Sequence, residues 1–243
     1  MGMPVIVEIV GATRESAEPL FDYFRRVDEQ FSTYKPSSEV SRINRGEIAQ
    51  GAYSTEMREV LSLAEKTRKD SNSFFDVHTP SGTLDPSGIV KGWAIKNAAN
   101  IARAAGHTDY WVEAGGDIQL AGSNPDGAAW KVGIKNPFNE KEIVKVVHLR
   151  DRGIATSGTS IRGNHIYDPH TGKPASSDVV SITVIGPDVY EADRFATAAF
   201  AMGNEGIYFI DSLEGFEGYS IDKNGRATMT SGFAAYTEDS SKK

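Results

Sequence analysis

Asp193 and Thr197, four positions apart in the stretch YEADRFATAAFAMG (residues 190–203), place a carboxylate and a hydroxyl where they could act together. Small and apolar residues recur around them at helical spacing, at Ala192, Phe195, Ala196, Ala199 and Phe200, as in a helix with one side in a core. Positions i and i+4 lie on the same helical face, so the two oxygens point to one spot about a turn apart. Hard oxygen ligands on a rigid support suit Mg²⁺, which takes a few protein oxygens and fills its octahedron with water and substrate phosphates. The competing reading makes Asp193 an ordinary first-turn acid and has Thr197 bonded back to a carbonyl of its own helix.

Other segments add candidate groups. In LDPSGIVKG (residues 84–92), Gly88 lies beside a helix start, where glycine lets backbone approach an anion, and Lys91 can bring positive charge to phosphates. Lys91 also reads as an exposed first-turn lysine, although the helix dipole disfavours a cation there. Neither GxxxxGK[ST] nor GxGxxG occurs. Ser157-Gly158-Thr159 offers amides and hydroxyls of the kind that cradle phosphate oxygens. His165, at the end of a short strand before the Asp168-Pro169 turn, is either structural or a general base. Tyr34 is a surface ring or a platform for a flat ligand. Phe74-Phe75-Asp76 either closes a ligand slot or begins a turn after a buried aromatic pair, and Gly115-Gly116 is a hairpin turn by default.

These groups need elements to hold them. The pattern predicts a strand over residues 3–10, a helical pattern that Thr13 precedes and that runs to about Phe31, and a short helical turn capped by Ser38. A helix capped by Ser54 or Thr55 runs to about Lys69, and another continues from the DPSG segment to Gly106. Strands follow at residues 110–113, 118–120, 129–134, 143–149 and 178–186, then the Asp193 helix, a helical segment over 205–213, and strands at 218–222 and 227–230. Hairpin-like spacing predicts an α+β fold, with a mostly antiparallel or mixed sheet flanked by helices. Residues 1–237 form one compact two-lobed unit in this reading, with residues 238–243 a frayed tail.

The 243 residues suffice for a sizeable core, and a net charge of −7 with 39% hydrophobic content reads as soluble and globular. No block of lysine and arginine stands out, which disfavours nucleic acid and anionic membranes as partners. With no cysteine there are no disulfides, thiolate nucleophiles, zinc-cysteine sites or lipid-modified cysteines. The first ten residues lack the pattern of a signal peptide and no stretch reads as a membrane span, so a cytoplasmic location is expected as written, or a periplasmic or membrane-anchored one if a leader has been removed.

Six segments in this order, FSTYKPSSEVSRIN, DPSGIVKGWA, EAGGDIQLAG, ATSGT, HIYDPHTGKP and ADRFATAAFAMG, resemble the successive signatures of the ApbE family, the FAD:protein FMN transferases. The resemblance covers nearly the whole chain. It implies an ApbE-like fold, Mg²⁺ held by Asp193, Thr197 and the backbone carbonyl of Gly88, and FAD touching Tyr34, Phe74, Phe75, Asp76, Asp85, Lys91 and Ile166, with His165 at the reacting end. Gly88 stands where many relatives have alanine, a change that a backbone ligand tolerates.

The reaction so implied is attack by a threonine or serine hydroxyl of an acceptor protein on the FMN-side phosphorus of FAD, with AMP leaving. His165 and Asp193 are the expected catalytic residues, His165 as proton acceptor. An Mg²⁺-dependent FAD pyrophosphatase and a non-catalytic flavin-binding module are the competing expectations.

Overall fold

The computed structural model of the chain describes residues 2–159, 166–175 and 177–237. In chain order the elements are β1 (Val5–Ile9), α1 (Glu18–Phe31), α2 (Glu39–Asn44), α3 (Thr55–Asp70), α4 (Ser87–Ala104), β2 (Tyr110–Ala114), β3 (Asp117–Ala121), β4 (Trp130–Asn136), β5 (Asn139–Leu149), β6 (Gly153–Gly158), β7 (Tyr167–Asp168), β8 (Lys173–Pro174), β9 (Val179–Gly186), α5 (Val189–Ala201), α6 (Gly206–Asp211), β10 (Glu217–Asp222) and β11 (Ala227–Met229). Seven strands pair in the order β1-β2-β3-β6-β9-β10-β11, antiparallel throughout. Such a sheet with helices packed against it is the α+β class expected from the sequence.

Period-two alternation decides which side chain meets which layer. Tyr110, Val112 and Ala114 of β2 pack against α1, α3 and α4, through Leu20, Phe24, Val27, Met57, Val60 and Trp93. Ile182 and Val184 of β9 meet Phe195 and Phe200 of α5 and Ile207 and Ile210 of α6. The alternate residues, Ile118 and Leu120 of β3, Ile154 of β6 and Ile185 of β9, meet Trp130, Val132 and Leu149 of the β4–β5 hairpin. That hairpin, which among the described residues pairs only within itself, covers the second face.

The predicted helix caps are present: the hydroxyls of Ser38 and Ser54 accept from the amides of Ser41 and Met57, each at 3.0 Å. Thr13 precedes the helical pattern as expected, but the first turn, Arg14–Ala17, is 3-10, and α1 proper starts at Glu18 with a proline in its first turn. One central strand escaped the sequence reading. Residues 153–158 form β6, between β3 and β9, although two glycines and two hydroxyls make the segment look like loop. Cross-strand packing overrides weak intrinsic preference there. Gly153 is the one residue type that fits: a Cβ on it would lie 1.9 Å from the Val189 amide nitrogen at the start of α5.

Candidate active site

α4 and α5 pack antiparallel, and the glycines of α4 set how closely. A Cβ on Gly92 would fall 2.7 Å from the Cβ of Asp193 and 2.9 Å from the Val189 carbonyl oxygen; one on Gly88 would lie 3.5 Å from the Thr197 methyl and 3.2 Å from the Phe75 ring. One helical turn per rung thus sets Gly88 opposite Thr197 and Gly92 opposite Asp193. The next rung is ionic, Lys96 Nζ to Asp188 Oδ2 at 2.7 Å, and Asp188 also caps α5 by accepting from the Glu191 amide. Small residues on one helix are what admit a carboxylate and a hydroxyl from the other into a buried seam.

The Gly92 amide donates to Asp193 Oδ2 at 2.8 Å. In an α-helix that amide would serve the Gly88 carbonyl, so the Asp193 carboxylate and the Gly88 carbonyl draw on one donor. Lys91 Nζ lies 3.4 Å from Asp193 Oδ1 and 2.5 Å from Asp117 Oδ2. Burial pushes the Asp193 carboxyl up to about 7; the Lys91 ammonium acts against that shift and the Asp117 carboxylate adds to it.

In the sequence Asp117 is only the residue that follows the Gly115-Gly116 turn. Gly115 and Gly116, both at positive φ (61° and 94°), make the two-residue loop between β2 and β3, with Ala114 opposite Asp117. Cross-strand partners share a face. Ala114 packs among the helices, so Asp117 points there too, and Gln119, two residues on, accepts from the Val189 amide at 2.9 Å. The signal that could have found Asp117 was a polar residue on an otherwise buried strand, directly after a tight turn.

Ser157, on the helix-facing side of β6, brings its hydroxyl to 3.4 Å from that of Thr197. The phosphate-cradling loop expected over Ser157-Gly158-Thr159 is therefore the end of a strand, and the Thr159 amide donates to the Val180 carbonyl.

Of the remaining candidates, Asp85 accepts from the Ser87 amide at 3.0 Å, at the start of α4. Asn44 holds the preceding residue, its side-chain amide bonding both the carbonyl and the amide of Leu84 at 2.8 and 2.7 Å. This ties the segment after Tyr34 to the start of α4, a link the sequence did not reveal. Phe75 is buried beside Gly88. Phe74 packs edge-on against His170, centroids 4.4 Å apart, and so reaches the β7–β8 hairpin. Asp76 accepts from the His78 amide at 2.8 Å, the turn reading of that position. Ile166 packs against the α5–β9 cluster, and Tyr34 is 93% exposed. His165 lies outside the described residues. The structure thus gathers Asp193, Thr197, Gly88, Lys91 and Phe75 at one seam, sets Asp85 at the start of α4, and leaves Tyr34 in the α1–α2 loop.

Three or more His, Cys, Asp or Glu side chains are nowhere grouped to hold a metal among the described residues. The donors at the seam are two carboxylates, two hydroxyls and a carbonyl, hard oxygens that fit a hard divalent cation such as Mg²⁺ better than a soft one. A buried carboxyl held near neutrality by its surroundings also fits, since a cation would stabilise its charged form.

The ApbE family model matches residues 1–81 and 78–219. A FAD:protein FMN transferase of Vibrio cholerae serotype O1 is 36% identical over 135 residues, which cover 52% of this chain and 40% of that protein. One from Escherichia coli K12 is 32% identical over 160 residues, 62% and 46% of the respective chains. The chain spans about half the length of these curated relatives, or less. Among solved structures, the flavin transferase ApbE from Vibrio cholerae superposes with a TM-score of 0.85 at 24% identity, over 97% of this chain and 96% of that one. The apbe protein from Thermotoga maritima gives 0.85 at 22% identity, over 98% and 96%. The antiparallel sheet, its helical layer and the match to the family model define the class: the chain belongs to the ApbE family.

Proposed function

We propose that this chain transfers FMN from FAD to a threonine or serine hydroxyl of an acceptor protein, with Mg²⁺ required and AMP released. The observation that carries the reading is the α4–α5 seam, where Gly88 and Gly92 stand opposite Thr197 and Asp193. The names of the relatives support the reaction class.

Asp193, Thr197 and the Gly88 carbonyl would hold the cation, which when bound neutralises charge on the phosphate oxygens of FAD. Lys91 adds positive charge beside the same carboxylates, and the Phe75 ring walls the site next to Gly88. The acceptor oxygen forms a bond to the FMN-side phosphorus, the bond from that phosphorus to the bridging oxygen breaks, and AMP carries away the bridging oxygen. His165 takes the hydroxyl proton in this scheme. Positioning and fixed charge supply most of the rate, since the chain forms no covalent bond of its own.

The test incubates the protein with FAD, Mg²⁺ and a threonine-bearing acceptor. The expected result is flavin fluorescence on the denatured acceptor band with AMP in solution. Free FMN without acceptor labelling would assign a pyrophosphatase instead, and FAD retained intact would assign a binding module.

A further inference from the structure

We propose that Asp117 is a positioning residue for Lys91, and that Lys91 is a built-in competitor for the cation site, its ammonium resting between Asp117 and Asp193 until a divalent cation displaces it from Asp193 onto Asp117. The proposal rests on the reading of Asp193 as a cation ligand given above.

Three observations carry it. The ammonium lies 2.5 Å from Asp117 Oδ2 but 3.4 Å from Asp193 Oδ1, so Asp117 is its nearer partner and Asp193 the one it can more easily leave. The carboxylates are more deeply buried than the lysine. Asp117 is 1% and Asp193 3% exposed at the side chain, each bonded to a backbone amide, Asp117 to Thr156 at 3.1 Å and Asp193 to Gly92 at 2.8 Å, whereas Lys91 keeps 21% exposure. Finally, two buried carboxylates at one spot need positive charge to remain together, and an ammonium can supply it when no metal does. A cation taken up by Asp193 and Thr197 then repels the ammonium, and Asp117 keeps it near the site instead of letting it swing into solvent.

Direct Mg²⁺ binding without FAD tests this by calorimetry at pH 8.5 on the full chain. Removing the competitor with Lys91→Met is expected to tighten Mg²⁺ binding. Asp117→Asn, which keeps an oxygen for the Thr156 amide but takes the nearer carboxylate charge away from Lys91, is expected to weaken it. Each change should be on the order of tenfold, the effect of about 1.4 kcal/mol on a dissociation constant. The double variant decides: if Asp117 works through Lys91, Asp117→Asn has no further effect once Lys91 is methionine.

Equal weakening by Asp117→Asn with and without Lys91 would make Asp117 an independent ligand and overturn the proposal. Should Asp117→Asn not fold, Lys91→Met alone still decides, since unchanged or weaker binding removes the competitor. Absence of Mg²⁺ binding in the unmodified protein, or binding that survives Asp193→Ala, would bring down the cation reading itself and this proposal with it.

Discussion

At the scale of single residues, Asp193 would couple proton and cation under the proposed function. Its carboxyl is pushed from an ordinary 3.8 to about 7 in the folded chain, chiefly by burial. Between those values the folded state holds a proton that the unfolded state has released, so this group makes the cation-free protein less stable as pH rises from about 4 to 7, and the penalty is constant above 7. A cation that binds the carboxylate must displace the proton. Its apparent affinity should therefore rise by up to about tenfold per pH unit below 7 and level off above it. Thermal unfolding with and without Mg²⁺ at pH 6 and pH 8 checks this: the Mg²⁺-induced shift should be larger at pH 8, and Asp193→Asn should remove both the shift and its pH dependence. Asp193→Ala should abolish Mg²⁺-dependent turnover in the acceptor-labelling assay, and wild-type rates in that variant would put the metal elsewhere.

At the scale of elements, the α4–α5 pair explains both what the sequence disclosed and what it hid. Asp193 and Thr197 were legible because i, i+4 spacing is a property of one helix, and the caps at Ser38 and Ser54 because capping is local. Asp117 and Asn44 were not, since their roles come from partners met only after folding: Lys91 for the first, the Leu84 backbone for the second. β6 was hidden because its glycines and hydroxyls answer to the start of α5 and to Thr197, not to its own strand preference. The spacing of the two helices is directly testable. Gly92→Ala pushes a methyl into Asp193 and the Val189 carbonyl, and should cost about 1–3 kcal/mol in urea unfolding while weakening Mg²⁺ binding. Gly51→Ala, where a Cβ meets nothing within 4 Å, is the matched control and should change neither.

On the scale of the whole molecule, the antiparallel sheet was legible as a class, since hairpin-like spacing and alternation are written along the chain, whereas strand order was not. The seam joins residues 101 positions apart, as the bond from Gly92 to Asp193 shows. Contacts of such long range cost loop-closure entropy before they return anything. The proposed cation site should therefore complete itself late, after the transition state for folding. Mg²⁺ should then slow unfolding while leaving the refolding rate nearly unchanged, and stopped-flow traces in urea with and without Mg²⁺ would reveal the opposite partition if the seam formed early. If the seam holds the metal as proposed, a chain cut anywhere between the two helices would bind it only as fast as its halves could find each other, which would turn metal uptake into a clock for the last step of assembly.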